Sequence, residues 1–221
     1  MKPFMIAFLI AASFSGQPSF AADFDQHIVV ILDDSGTTQD ASSTGTGDLP
    51  LFWETRWQYI HNLHENAERG TYVTIVSVIR PQVIWQGPAN EIMARNNKVL
   101  AGFLTKRNNL CPDFVRVGDV LKRVFRVAPV PPTEMVFISS LIHSQGPDSE
   151  SRSCNVDRAR LQPPEAFFET LRELYFENSS MPLTFYWAYN DFAGDLYDWF
   201  ADRGVDARIV EETAAYAEVV Q

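Results

Sequence analysis

The stretch that decides the fold is His27-Ile28-Val29-Val30-Ile31-Leu32-Asp33-Asp34-Ser35-Gly36-Thr37. Its run of apolar residues, rich in β-branched side chains, predicts a strand that is buried on both faces of a sheet. The run ends abruptly in acids, hydroxyls and a glycine, and ligands bind at the carboxyl ends of strands in α/β sheets. Asp33, Ser35 and Thr37 alternate, so an extended backbone projects them to one side. Because Mg²⁺ prefers such hard oxygen ligands, the stretch predicts a metal-binding face.

Residues 1–21 have the features of a signal peptide. A lysine precedes an apolar run over residues 4–12, and small residues lead to a cleavage site after Ala21, with Ala22 as the alternative. The apolar run is too short for a membrane anchor, and no later run approaches the length of a membrane span. We therefore expect the mature chain to be periplasmic or secreted, without membrane insertion after the signal is cleaved.

The composition suits one acidic domain over residues 22–221. This length is enough for a single α/β domain with a sizeable core, and neither an internal repeat nor a linker divides it. The formal net charge of the chain is −10. Because contacts with nucleic-acid phosphates require clustered Lys and Arg, we expect no nucleic-acid partner.

The two cysteines, Cys111 and Cys154, are expected to form a disulfide in an exported protein, two free thiols being the alternative. On the chain-entropy account, closing this loop raises the free energy of unfolding by roughly 4 kcal/mol. We expect mass spectrometry of unreduced mature protein to find one pair of peptides joined through these residues. Free thiols in protein recovered from an oxidising compartment would contradict the pairing.

Segments typical of strands and helices alternate along the rest of the chain. Further strands are predicted at 72–79, 83–85, 135–138, 183–188 and 205–210, and helices at 50–70, 89–105, 115–125, from 163 onward, 191–203 and 211–219. This alternation predicts a mostly parallel sheet with helices on both faces, a three-layer α/β/α architecture. The short turn between 72–79 and 83–85 predicts one antiparallel edge strand.

This order of elements, with one early hairpin in an otherwise parallel sheet, resembles the von Willebrand factor A (vWA) domain, which is Rossmann-like. The resemblance covers nearly the whole mature chain. It is sharpest at Asp33-Asp34-Ser35-Gly36-Thr37, which is similar to the D-x-S-x-S/T motif of the family's metal-ion-dependent adhesion site. The resemblance implies that Ser35 and Thr37 bind Mg²⁺ directly and that Asp33 acts through water.

The other two ligand motifs of the vWA family are not kept. Val115 stands where the resemblance requires a threonine, and Ser139-Ser140 stands at the strand end where it requires an aspartate. Because ligand charge sets the affinity for a hard cation, we expect a weak or degenerate Mg²⁺ site. The candidates to supplement it are Asp34, Asp113, Ser140 and Asp148.

A second resemblance is to haloacid-dehalogenase-type phosphatases, whose D-x-D-G-T motif differs at one residue from Asp33–Thr37. It implies an enzyme with Asp33 as the nucleophile. However, Ser35 replaces the acid/base carboxylate, and a hydroxyl cannot perform that proton transfer near neutral pH. We therefore expect a non-enzymatic vWA-like module with no catalytic residues. It would bind a protein partner, within an envelope or secretion assembly, at the carboxyl face of its sheet.

Overall fold

The computed structural model describes residues 24–34, 49–93, 100, 112–141, 163–188 and 190–220. The predicted signal peptide and the predicted site residues Ser35, Thr37 and Asp148 lie outside these residues, as do both cysteines. The export signal and the disulfide therefore stay predictions. Within the described ranges, no helix has the length and apolar character needed to cross a bilayer.

The structure has strands and helices at nearly all the predicted positions. In chain order they are β1 (Gln26–Leu32), α1 (Leu49–Asn66), β2 (Thr71–Ser77), β3 (Gln82–Pro88), α2 (Phe114–Val127), β4 (Glu134–Ile138), α3 (Glu165–Glu177), β5 (Leu183–Ala188), α4 (Asn190–Ala201), β6 (Ala207–Glu211) and α5 (Glu212–Val220). The helix predicted from residue 89 differs at its start. Ala89–Glu91 forms a 3-10 helix, because the Ile92 N–H donates to the Ala89 carbonyl at 3.1 Å.

The sheet has the strand order β3-β2-β1-β4-β5-β6. The pairs are parallel except for the antiparallel pair of β2 with the edge strand β3. Strand β1 is interior and flanked by β2 and β4, and the predicted antiparallel edge strand is confirmed. In register, Leu32 lies beside Ser77 of β2 and Ile138 of β4, so the residues after Leu32 emerge between two strand ends.

The core lies on both faces of the sheet, and β1 contributes to both. Val29 and Ile31 join one apolar cluster with α2, α3 and α4, whereas Ile28, Val30 and Leu32 join the other with α1 and α5. This alternation follows from the two-residue period of a strand. The predicted three-layer α/β/α fold is therefore confirmed.

Aromatic packing fixes the end of β4. Phe137 stacks on Phe185 of β5 with ring centres 4.6 Å apart, and it meets the edge of Phe167 on α3 at 6.0 Å. These rings are fully or almost fully buried. The residues that follow β4 therefore leave from a closely packed part of the core.

Candidate functional site

Strand β1 is followed by two consecutive carboxylates, and a serine from each neighbouring strand end donates to one of them. The Ser139 hydroxyl donates to Asp33 Oδ2 at 2.6 Å, and the Ser77 hydroxyl donates to Asp34 Oδ1 at 3.0 Å. All four side chains are buried. We call Asp33, Asp34, Ser77 and Ser139, together with Arg56 described next, the carboxyl-end cluster.

Arg56 of α1 brings a positive charge to this cluster. Its side chain is 1% exposed, and Nη1 donates to the main-chain carbonyl of Asp33 at 2.7 Å. Burial lowers the pKa of Arg56 to about 10, against the opposing effect of the Asp34 and Asp33 carboxylates. The guanidinium is therefore still protonated at neutral pH. It also lies over the ring of Phe52, 5.9 Å from the ring centre.

The surroundings of Asp34 raise its pKa. Burial raises this pKa, and the nearby charge of Asp33 raises it further. The hydrogen bond from Ser77 and the charge of Arg56 act in the opposite direction. Two carboxylates and one guanidinium leave the cluster with one formal negative charge in excess.

Strained and unsatisfied groups lie at the same end of the sheet. Leu141, just beyond β4, and Trp187, at the end of β5, have positive φ angles of 57° and 71°, and both are buried. A bulky residue in this conformation costs roughly 1–3 kcal/mol. Ser140 Oγ and Trp187 Nε1 are buried without a hydrogen-bond partner in the part of the chain that the structure describes. Such costs concentrate at functional sites.

The structure gives the predicted site residues different positions. Asp33 and Asp34 belong to the carboxyl-end cluster, and Ser140 directly follows its member Ser139. The Asp113 carboxylate instead caps α2, because it accepts from the Arg116 main-chain N–H at 3.1 Å and pairs with the Arg116 side chain at 3.3 Å. Asp113 thus has a structural role of its own at the start of that helix.

Sequence reasoning missed Arg56, Ser77 and the contact made by Ser139. The signal for Arg56 was present, because it stands four residues after Phe52 and four before Ile60, on the buried stripe of an amphipathic helix. The two serines follow from the parallel register, which aligns the ends of β2 and β4 with the end of β1.

The described donors fit Mg²⁺ in kind. Asp33 offers a carboxylate, and the buried Ser140 hydroxyl has no hydrogen-bond partner among the described residues. Both are hard oxygen donors. The charge of the site fits Mg²⁺ less well, because Arg56 places a cation beside the carboxylates. In addition, the described ranges contain no group of three or more His, Cys, Asp or Glu residues that could hold a metal. The arrangement suits a weakly held cation rather than a closed metal site.

Comparison with known proteins identifies the fold. No protein-family model and no curated protein sequence matches the chain. The VWA domain of SpRpn10 matches with a TM-score of 0.51 and 9% identity, over 88% of this chain and 93% of that domain. Two crystal structures of the pilus adhesin SpaC from Lactobacillus rhamnosus GG match with TM-scores of 0.58 and 0.54 and 10% identity. They align over 89% of this chain but only 29% and 30% of the adhesin.

At this level of identity the likeness concerns the fold, and the chain has a vWA-like fold, as the sequence predicted. The phosphatase alternative is not favoured. The antiparallel edge strand β3 has the place expected from the vWA resemblance, and the neighbouring structures include a vWA domain.

Proposed function

We propose that this chain is an exported interaction module that binds a protein partner at the carboxyl end of its sheet. One observation carries the proposal: the buried residues with positive φ, Leu141 and Trp187, and the unsatisfied Ser140 hydroxyl lie at that end. The other described non-glycine residues with positive φ, Ser179 and Ser180, are exposed in the turn before β5. A fold built only for stability would relax such groups, so their concentration favours a binding role. The likeness to SpaC, a pilus adhesin, supports the same class of function.

The partner would contact the exposed rim of the carboxyl-end cluster, because the cluster itself is buried. Helix α2 precedes the parallel strand β4 through a short connection, so α2 runs antiparallel to β4 and its first turn lies at the carboxyl end of the sheet. Val115, in that first turn, is 49% exposed. It therefore presents an apolar side chain to a partner at the position where the vWA resemblance requires a threonine.

Mg²⁺ is proposed as a weak component of this site. The vWA resemblance implies Ser35 and Thr37 as direct ligands and Asp33 as a ligand through water. A bound Mg²⁺ would supply an open coordination position for a carboxylate of the partner. Among the described residues, Ser139 holds the Asp33 carboxylate in position by its hydrogen bond. We place the module in the periplasm or outside the cell, within an envelope or secretion assembly.

Two valines on the same helix provide a matched test. Val115 lies in the first turn of α2, and Val127, 76% exposed, lies in the last turn at the opposite end of the sheet. Bait protein is cross-linked in envelope and secreted fractions of the source organism, and captured proteins are quantified by mass spectrometry. We expect Val115→Lys to reduce capture of the partner by about tenfold or more, as for a contact residue at an interface, and Val127→Lys to leave it unchanged.

Melting curves provide the control, because substitutions of exposed residues change stability by about 0.5 kcal/mol at most. Equal capture by both folded variants would contradict the proposed surface. The same capture in the presence of a chelator determines whether the partner docks through a metal, since only then does chelation reduce capture.

We expect no hydrolysis of a generic phosphomonoester. Rapid hydrolysis that is lost in Asp33→Ala would instead support the phosphatase alternative.

A further inference from the structure

We propose that Arg56 is the resident cation of the carboxyl-end cluster and that it keeps the affinity of this site for divalent cations low. Within the fold, its guanidinium supplies the positive charge that a metal ion would otherwise bring to Asp33 and Asp34. The inference rests on the proposed function only for the location of the site. Its test measures ion binding and folding without a partner, so failure of the two proposals can be distinguished.

The position of Arg56 is fixed by contacts on two sides. Its Nη1 donates to the Asp33 carbonyl at 2.7 Å, and its guanidinium lies over the Phe52 ring. Phe52 in turn meets the ring of Trp187 edge-on, with ring centres 5.3 Å apart. The arginine is therefore held between the end of β1 and the Phe52 ring, which itself packs against Trp187 at the end of β5. It cannot move out to solvent without losing these contacts.

Burial strengthens the electrostatic effect of the Arg56 charge on its surroundings. An arginine that is 1% exposed is rare unless carboxylates compensate its charge. Asp34 and Asp33 both stabilise its charged form. A divalent cation that approached the same carboxylates would meet a fixed like charge in a region that water screens poorly. This repulsion explains why a site with oxygen ligands would hold Mg²⁺ only weakly.

The test is a charge series read by calorimetry with Mg²⁺ and Mn²⁺. Arg56→Met removes the cation and keeps an unbranched apolar stem in its place, and we expect about a tenfold or greater gain in ion affinity. Arg56→Lys keeps the charge and should bind like the wild type. The double variant Arg56→Met with Asp34→Asn has the same formal charge as the wild type, so its affinity should also return to about the wild-type level.

Folding provides the second readout. If Arg56→Met is unfolded without added ions, millimolar Mg²⁺ should fold it, because the ion replaces the missing charge. The proposal is overturned if Arg56→Met stays unfolded in Mg²⁺, or if the folded variant binds ions no more tightly than the wild type. It is equally overturned if the double variant shows the same gain as the single one, because charge would then not be the cause.

Discussion

Replacing Asp33 with alanine is expected to lower the free energy of unfolding by about 3 kcal/mol and to abolish whatever Mg²⁺ binding the proposed site has. The carboxylate accepts the buried Ser139 hydroxyl at 2.6 Å and helps to compensate the charge of Arg56. Alanine leaves that hydroxyl without its acceptor and removes a compensating charge from a buried arginine. Urea unfolding gives the change in stability, and calorimetry with Mg²⁺ gives the change in binding.

Asparagine at the same position separates the two effects. Asp33→Asn keeps an oxygen that accepts from Ser139, so we expect it to cost less stability than alanine while still abolishing ion binding. Asp25, an exposed aspartate just before β1, provides the matched control at the opposite end of the strand. Asp25→Ala should change stability by about 0.5 kcal/mol at most. A similarly small cost for Asp33→Ala would contradict the role given to the Asp33–Ser139 contact.

The sheet could be predicted from the sequence because its central strands are continuous apolar runs. Residues 28–32, 135–138 and 183–188 are strongly apolar, and buried parallel strands are typically such runs. The alternation of strands and helices then restricted the topology to a mostly parallel sheet. Helix ends and the 3-10 turn after Pro88 were less predictable, because single hydrogen bonds decide them.

The carboxyl-end cluster could be predicted only in part. The acids after β1 were found because polar residues that follow a buried strand are conspicuous in the sequence. The hydrogen bonds to these acids were not found, because only the strand register aligns Ser77 with Asp34 and Ser139 with Asp33. Arg56 was missed because an arginine on a helix is usually solvated, and its burial depends on packing between α1 and the sheet.

A buried histidine at the other end of β1 predicts the response of the fold to acid. His27 is buried and neutral, with Nδ1 3.1 Å from the Val130 carbonyl and Nε2 2.9 Å from the Thr74 hydroxyl. Because a carbonyl only accepts, we assign the proton to Nδ1 and the acceptor role to Nε2. Burial lowers the pKa of His27 from 6.5 to about 4, although the bond to Val130 acts in the opposite direction.

The sign of the pH effect follows from the two states of this imidazole. Below pH 6.5 the unfolded chain takes up the proton, but the folded chain does so only near pH 4. Stability is therefore lost as the pH falls through this window, by about 3 kcal/mol in total from this one group. Burial raises the pKa of Asp34 and Glu134, so these groups act in the opposite direction as the pH falls.

The His27 contribution is isolated by comparing the wild type with His27→Gln in urea unfolding across the same pH range. Glutamine is neutral throughout, so the variant should be less stable at neutral pH, where it has lost the fitted imidazole. Its disadvantage should shrink by about 3 kcal/mol between pH 6.5 and pH 4, while the carboxyl contributions cancel in the difference. A constant difference between the wild type and His27→Gln would mean that His27 titrates alike in the folded and unfolded chains, contrary to its burial.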